Sequence, residues 1–414
     1  MSSKQQSKII DNGLSKTQKK ALQKMQSSKI LDYIVEEVHK EGVVNEDTNI
    51  KLLTIKLMLK YVKNRDPVSS NVLITEETGA GKDWLVENTL KVLIPEADIV
   101  MRTGLTNQSL NYWFTNKKYS NGWTFDGKIL YLSDPPEDTL KGDGFRTLAT
   151  GKNHYSTVVK GKMVDIKIKG KPVIVVTSMK NNIDVEGQRR WDAIHADNSN
   201  ETTVGCLENI FGLGKNLPEP DTSFRNQIQT LLEYNVLIPF KPALGQALLN
   251  DNKKSNKPTI LRTKVKVLLD FIRASAILHQ HNRKIDDDGN LIAELEDYEI
   301  AKKIFMQFQG DSGQALDTYE RAVKDALIGE TEGLSVQEIA ERVGHRGVTE
   351  NWFYRHRDNM MEKHFIKQGV PRTYEAGENS KGEPFKRTMK TYKLVDYSLI
   401  KLPTSEKVRK IWEK

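Results

Sequence analysis

The chain has 414 residues, 37% hydrophobic and 29% charged, which is enough to bury the cores of two or three domains. Its single cysteine, Cys206, excludes an internal disulfide framework, and one cysteine with eight histidines predicts no zinc site. The sequence shows no apolar run of the roughly 18 residues that a membrane span needs, and no apolar signal segment. We therefore expect a cytoplasmic protein without a membrane partner.

The formal net charge of +8 is concentrated at the two ends of the chain. Residues 1–30 contain seven lysines against one aspartate, and residues 341–414 contain 17 Lys or Arg against 10 Asp or Glu. Basic ends around a nearly neutral centre favour a polyanion as partner. A charged surface that only keeps the chain in solution fits the same pattern, so charge alone does not decide between the two interpretations.

The N-terminal part of the sequence predicts a tail followed by helices. Residues 1–27 are rich in Ser, Gln and Lys and poor in large apolar side chains, which predicts a basic flexible tail that is either disordered or a frayed helix. Over residues 28–66 the apolar residues recur at helical spacing, so we expect an N-terminal helical region that ends at Pro67. A short apolar strand follows at Val72–Ile74.

The stretch TEETGAGKDW at 75–84 has most features of a phosphate-binding loop. It lies between the strand and a predicted helix that ends before Pro95, which is the context that such a loop requires. Its backbone N–H groups and the dipole of the following helix would face the phosphates, and a lysine would reach the β- and γ-phosphates. The alternative is a chance Gly-Lys turn on an ordinary loop. The predicted nucleotide-binding residues are Thr78, Gly79, Ala80, Gly81, Lys82, Asp83 and Trp84.

Two residues of this loop depart from the consensus of phosphate-binding loops. Glu76 occupies the position of a glycine, and Asp83 occupies the position of the serine or threonine whose hydroxyl ligates Mg²⁺. Loss of the consensus glycine matters least to the phosphate cradle, whereas loss of the consensus hydroxyl removes a ligand of the metal ion.

Two continuous apolar runs further along the chain predict buried strands. They are KILYLSD at 128–134 and KPVIVVTS at 171–178, and such runs are typical of strands covered on both faces of a parallel sheet. With the helical segments around them, they indicate an α/β layered fold.

The end of the first run suggests how the altered loop could still hold a metal. Ser133 occupies the position of a magnesium-organising aspartate, and Asp134 that of a water-activating carboxylate. We hypothesise an exchange in which Asp83 supplies the carboxylate and Ser133 the hydroxyl, so that Mg²⁺ keeps one oxygen of each type. Asp134 would orient the attacking water, with Glu137 as its competitor. The alternative is that both sites have decayed and nucleotide binds without turnover.

A β-hairpin is predicted between these two strands. HYSTVVKGKMVDIKIKGK at 154–171 alternates apolar and polar residues on both sides of a turn at Lys160, Gly161 and Lys162. Residues 151–171 contain six lysines against one aspartate. Lysines at a hairpin tip commonly have no role beyond keeping the exposed turn solvated by water.

The C-terminal part of the sequence predicts helices and then a winged-helix domain. Helical patterns fill residues 216–285, and a polar turn at 286–290 separates them from a domain at 291–400. Within that domain, helices at 334–344 and 349–365 precede two strands, and a basic tail at 401–414 ends the chain. Winged helices bind either DNA or other proteins. The candidate DNA-binding residues are Arg355, Arg357, Lys363, Lys386, Arg387 and Lys390.

These parts in this order resemble the AAA+ ATPases, specifically a helicase-like branch on mobile elements and viruses that is akin to minichromosome-maintenance and superfamily-3 helicases. The resemblance covers roughly residues 50–400. It rests on ETGAGKDWL, GKILYLSD and LRTKVKVLLDFIRASAILHQHNR and on the spacing between them. It implies an AAA+ core at 67–215 that binds ATP and Mg²⁺, and a helical lid at 216–285 from which Arg262 contacts ATP. The loss of the first glycine and the Asp83/Ser133 exchange depart from the family pattern.

The resemblance also implies roles for other residues. Thr177 or Ser178, at the end of the second run, would contact the γ-phosphate, although either could simply cap the strand. Arg189 or Arg190 would complete the ATP site of a neighbouring subunit in a hexamer, unless both are surface charges. Lys160 and Lys162 would grip single-stranded nucleic acid in the central channel of the ring.

We therefore expect an ATP-driven DNA translocase or helicase with a role in DNA replication. One alternative is an ATP switch for replication initiation or transposition that binds DNA without unwinding it. A second is a DNA-binding regulator with an inactive ATPase core.

Overall fold

The protein is described from a computed structural model. It describes residues 15–76, 79, 81–106, 109–115, 122–152, 154–159, 161–178, 191–213, 217–252, 258–312, 318–327, 330, 332–344, 347–362, 366–378, 384–394 and 402–414. None of the helices in this part of the chain has the length and apolarity that crossing a bilayer requires. The chain divides into two compact units, Met1–Ser312 with Leu402–Lys414, and Gly313–Lys401.

The first unit begins with three helices, α1 (Lys16–Met25), α2 (Ile30–His39) and α3 (Asp47–Met58). Ser15 starts α1 with a capping box, because its hydroxyl accepts the Gln18 N–H while the Gln18 side chain accepts the Ser15 N–H. Helix α1 lies in the segment predicted as a flexible tail at 1–27 and buries Ala21 and Met25, so residues 16–25 correct that prediction. The predicted helical region at 28–66 contains α2 and α3.

A five-stranded parallel sheet forms the centre of the first unit. In chain order the elements are β1 (Asn71–Thr75), α4 (Lys82–Leu93), β2 (Ile99–Thr103), β3 (Ile129–Ser133), α5 (Glu137–Lys141), α6 (Asp143–Thr150), β4 (His154–Val159), β5 (Lys162–Lys167), β6 (Val173–Ser178), β7 (Asp192–His195) and α7 (Asn200–Ile210). The strand order of the sheet is β2-β3-β6-β1-β7, and a separate antiparallel hairpin, β4–β5, is inserted between β3 and β6 in the chain.

The three central strands of this sheet, β3, β6 and β1, are buried on both faces, as their apolar runs predict. Every residue of β1 and β6 is buried, and so are the first four residues of β3. A fully buried Val, Leu or Ile side chain contributes about 1.5–3 kcal/mol, so the sheet centre is a main source of stability. The predicted α/β class with a parallel sheet is confirmed at this level. The apolar cluster on one face includes Leu73, Leu130, Leu132, Ile174 and Val176, with Trp113, Phe125 and Phe145 around them.

Further helices complete the two units. The first unit continues with α8 (Thr222–Gln229), β8 (Val236–Leu237), α9 (Lys241–Asp251), α10 (Pro258–Leu278), β9 (Leu291–Ile292) and α11 (Leu295–Ser312). The second unit contains α12 (Thr318–Ala326), β10 (Leu334–Ser335), α13 (Val336–Val343), α14 (Glu350–Glu362), β11 (Ile366–Gln368), β12 (Arg372–Glu378), β13 (Pro384–Met389) and β14 (Thr391–Leu394). The chain then returns to the first unit as α15 (Ser405–Trp412).

A buried ion pair joins three elements of the first unit. Lys56 of α3 is fully buried, and its Nζ donates to the Ser69 carbonyl oxygen at 2.7 Å and pairs with the Asp192 carboxylate of β7. Lys264 of α10 approaches the other oxygen of Asp192 at 3.1 Å. Burial lowers the pKa of Lys56. Burial also acts to raise the pKa of Asp192, but the two lysine charges outweigh it, so that pKa is lowered.

The second unit packs its helices on a small antiparallel sheet of order β10-β14-β11, and β12 and β13 form a separate hairpin. Its core contains Ile339, Phe353 and Tyr392. The Ser335 hydroxyl accepts the Glu338 N–H, and the Glu338 carboxylate accepts the Ser335 N–H, so a capping box starts α13.

The compact units differ from the sequence-based boundaries in two places. Helix α11 belongs to the first unit rather than to a domain at 291–400, because it packs on α10, with the Phe271 and Phe305 rings 6.1 Å apart. The segment predicted as a basic tail at 401–414 also belongs to the first unit from Leu402 onward. There the Pro403 carbonyl oxygen accepts the Tyr298 hydroxyl at 2.7 Å, and Val408 is fully buried.

Candidate functional site

The carboxyl ends of β1, β3 and β6 meet at one edge of the sheet. The chain leaves β1 towards β2 at one end of the sheet, whereas it leaves β6 towards β7 in the opposite direction. In open α/β sheets, ligands bind outside the carboxyl ends of the strands, at the place where the strand connections diverge in this way.

The loop between β1 and α4 has the backbone that a phosphate cradle needs. Gly79 and Gly81 have φ values of 89° and 77°, in the left-handed region that favours glycine. No described heavy atom lies within 4 Å of a Cβ built on either residue, so there is open space beside both. The N-terminus of α4, which carries a partial positive charge, begins directly after Gly81. Thr78 and Ala80 lie outside the described residues, and Trp84 is exposed.

Lys82 lies across this loop. Its side chain is buried, and its Nζ donates to the Glu76 carbonyl oxygen at 2.9 Å. The Glu76 side chain is buried too, and one of its carboxylate oxygens accepts the Asn198 amide at 3.1 Å. The glutamate that replaces the consensus glycine is therefore anchored to the segment after β7.

Three hydroxyl groups converge on one oxygen of Asp83. Tyr131, Thr177 and Ser133 donate to Asp83 Oδ1 at 2.5, 2.6 and 3.1 Å. Partial burial acts to raise the pKa of Asp83, but these hydrogen bonds and the charge of Lys82 outweigh it, so the pKa is lowered. The carboxylate is therefore ionised at neutral pH and held in a fixed orientation.

The two residues that the sequence pairs across the site are in contact. Ser133 donates to Asp83, and both lie where β3 and α4 face each other. Tyr131 is the member of this group that sequence reasoning misses, because it lies inside an apolar strand. A signal was present, since residues two apart on a strand share one face, and Tyr131 precedes Ser133 by two.

Thr177 and Ser178 occupy the end of β6. The Thr177 hydroxyl donates to Asp83, and its carbonyl oxygen accepts the Asp134 N–H at 3.1 Å. In this structure Thr177 thus supports the carboxylate, and the γ-phosphate contact that the resemblance implies for Thr177 or Ser178 remains a prediction. Ser178 is buried.

Asp134 follows β3 in a backbone conformation that non-glycine residues seldom adopt. Its φ is 40°, and its side chain is exposed. Such a conformation costs of order 1–3 kcal/mol and is common at functional sites. The strain fits a residue that the end of β3 holds outward towards solvent.

Glu87 is a second carboxylate near this edge. It follows Asp83 by one turn of α4, so the two residues share a helix face. Partial burial and the negative charge of Asp83 raise the pKa of Glu87. A cation bound beside Asp83 would oppose that effect.

The residues at this edge fit a magnesium ion that also binds phosphate oxygens. Asp83, Ser133 and Thr177 provide hard oxygen atoms. Among the described residues no group of three or more His, Cys, Asp or Glu side chains could hold a metal. Mg²⁺ commonly takes one or two carboxylates and completes its shell with water and substrate phosphates, so one anchored carboxylate beside a phosphate loop is sufficient.

Four candidate residues for catalysis or nucleotide contact have side chains outside the described part. Arg189 and Arg190 lie in an undescribed segment, and Arg262 lies in α10. Glu137 begins α5. Their predicted roles remain predictions.

The predicted hairpin is present as β4 and β5. Val158 pairs with Met163 and Val159 with Lys162 next to the turn. Val158 and Met163 are 66% and 76% exposed, so the tip carries an apolar pair that no described residue covers. Lys160 lies outside the described residues, and so does the side chain of Lys162.

The basic residues predicted to bind DNA in the second unit differ in side-chain exposure and in ion pairing. Arg355 and Lys390 are exposed, whereas Arg357 is half-buried and pairs with Asp358 at 2.9 Å. Lys386 and Arg387 lie in β13, opposite Glu375 and Tyr374, and their side chains are not described. Lys363 lies outside the described residues.

No family model matches the chain, and a comparison with curated proteins finds no match either.

Proposed function

We propose that this chain is a Mg²⁺-dependent ATPase of the AAA+ class that forms a ring and acts as a DNA translocase or helicase.

 The assembly is proposed to be a hexamer with an AAA+ core, a helical lid and a winged-helix second unit. The observation that carries the proposal is the meeting of Lys82, Asp83 and the hydroxyls of Ser133 and Thr177 at the carboxyl edge of the parallel sheet.

The described residues suggest how this edge would work. Backbone N–H groups of the glycine loop and the α4 N-terminus would bind the phosphates, and Lys82 would exchange the Glu76 carbonyl oxygen for a phosphate oxygen. Mg²⁺, when bound, neutralises charge on the phosphates. Asp83 and Ser133 would hold it, and Asp134 or Glu137 would orient the attacking water. Arg262 and, from a neighbouring subunit, Arg189 or Arg190 would contact the nucleotide.

DNA binding is proposed at two places. The β4–β5 hairpin, with Lys160 and Lys162 at its tip, would contact a single strand. The second unit would contact duplex DNA, because it combines short helices, an antiparallel sheet and a hairpin with exposed basic residues such as Arg355 and Lys390. Both proposed contacts are with the phosphate backbone of the DNA, so the affinity for DNA should depend on salt.

The test is ATP hydrolysis measured with and without single-stranded DNA, together with particle size. We expect DNA-stimulated hydrolysis by a particle larger than one chain, and ATP-dependent unwinding of a forked duplex. Hydrolysis without unwinding would favour an ATP switch. DNA binding without any hydrolysis would contradict the enzyme proposal and leave a DNA-binding regulator.

The hairpin contact gives a separate prediction. Replacing Lys160 and Lys162 together by alanine is expected to weaken single-stranded DNA binding. The slope of log affinity against log salt is negative, by about 0.7 for each phosphate contact, so its magnitude should fall by about 1.4. The measurement is fluorescence anisotropy over a salt series.

The matched control replaces Lys63 and Lys241, two exposed lysines elsewhere in the first unit, by alanine. It removes the same charge, so it corrects for the general effect of net charge. If the hairpin variant and this control have equal slopes, the hairpin does not contact the strand.

A further inference from the structure

We propose that Tyr131, together with Thr177, is a positioning residue that fixes Asp83 so that its second oxygen faces a divalent cation. This inference rests on the proposed nucleotide site. It assigns a role to a strand residue that never contacts the cation or the nucleotide itself.

The register of the sheet places the donors side by side. Ser133 of β3 is directly opposite Thr177 of β6, and Tyr131 lies two residues before Ser133 on the same face of β3. All three hydroxyls reach Asp83 at the start of α4. Because the donors belong to two central strands, the carboxylate is held by paired strands that are buried along nearly their whole length.

The three hydrogen bonds act on one carboxylate oxygen. Asp83 Oδ1 accepts from Tyr131, Thr177 and Ser133, which uses the acceptor capacity of that oxygen. The oxygen that receives none of these three donors, Oδ2, is then the one positioned to ligate a cation. Groups that orient a ligand in this way typically change metal affinity 10- to 100-fold when they are removed.

Tyr131 has the properties of such a support. Its side chain is fully buried, and its phenol oxygen lies 2.5 Å from Asp83 Oδ1, the shortest of the three contacts. A phenol on a rigid ring has few alternative positions, whereas a serine hydroxyl can rotate. Loss of the phenol oxygen would let the carboxylate turn without removing its charge.

The experiment compares Tyr131→Phe with Tyr298→Phe. Both tyrosines are fully buried and donate one hydrogen bond, but Tyr298 lies in α11 and donates to the Pro403 carbonyl oxygen. The probes are Mn²⁺ affinity at saturating ADP, followed by electron paramagnetic resonance, and ADP affinity in EDTA. Tyr131→Phe should weaken Mn²⁺ binding 10- to 100-fold and leave metal-free ADP binding unchanged. Tyr298→Phe should change neither.

A second pair of variants tests the same support if Tyr131→Phe does not fold. Thr177→Val keeps the shape but removes the hydroxyl, and should weaken Mn²⁺ binding in the same way. Thr177→Ser restores a hydroxyl and should return the affinity to that of the unmodified chain. Equal Mn²⁺ affinity for Val and Ser variants would overturn the role of Thr177.

The outcomes separate this inference from the proposal on which it rests. An unmodified chain that binds neither ADP nor Mn²⁺ with ADP would overturn the nucleotide site itself. An unmodified chain that binds both, with Tyr131→Phe and Tyr298→Phe equal in Mn²⁺ affinity, would overturn only the inference. An equal loss of metal-free ADP binding in Tyr131→Phe would also overturn it, because the loop rather than the carboxylate would then have moved.

Discussion

ATP hydrolysis is expected to fall about 100-fold or more when Lys82 is replaced by alanine. The lysine follows the glycine loop directly, and its Nζ already lies across that loop on the Glu76 carbonyl oxygen. A cation aimed at the transferring phosphate stabilises charge that develops in the transition state, and removing one such group typically costs about 10²–10³ in rate. The measurement is steady-state phosphate release at saturating ATP.

The control for this variant is Lys91→Ala on the same helix. Lys91 is 63% exposed and pairs with Glu41, so its loss should leave hydrolysis unchanged. Thermal unfolding of both variants verifies that the fold is retained. Turnover in Lys82→Ala equal to that of the unmodified chain would place ATP chemistry away from this loop.

The largest loss of stability is expected from Asp192→Ala. This variant removes the carboxylate that pairs with the fully buried Lys56 and with Lys264. Leaving a buried charge without its partner costs about 3–5 kcal/mol of unfolding free energy. Urea unfolding measures it. The control is Asp32→Ala, which breaks a more exposed ion pair with Lys51 and should cost less than about 1 kcal/mol.

The loss in Asp192→Ala should depend on pH. Burial lowers the pKa of Lys56 in the folded chain, while the unfolded chain has an ordinary lysine pKa of about 10.4. Unfolding then takes up protons below that value, so the stability of the variant rises as pH increases. The destabilisation should therefore be smaller near pH 9.5 than at pH 7. An equal loss at both pH values would mean that Lys56 is not the source of the effect.

The sequence predicts the sheet better than the site. The runs at 128–134 and 171–178 predict β3 and β6, because an uninterrupted apolar run of this length is typical of a strand that is buried on both faces of a sheet. Strands β2 and β7 are not predicted, since the apolar pattern of Ile99–Thr103 is interrupted and Asp192–His195 is short. Their placement depends on long-range parallel pairing, which leaves little local trace.

The contacts of Asp83 show a second limit to what the sequence predicts. Its pairing with Ser133 could be proposed because both residues depart from one consensus in complementary ways. The Tyr131 contact is missed because Tyr131 departs from no consensus, and only its spacing of two residues from Ser133 points to it. The inward position of Glu76 depends on Asn198, which is 122 residues further along the chain and leaves no signal near Glu76 in the sequence.

The return of the chain to the first unit has a consequence for the second. Residues 313–401 are inserted between α11 and α15, and Pro403 is fixed to α11 through Tyr298 and Lys302. The inserted module is thus tethered at both of its ends. A double tether confines its search for a binding partner to a smaller volume than a single flexible linker would allow.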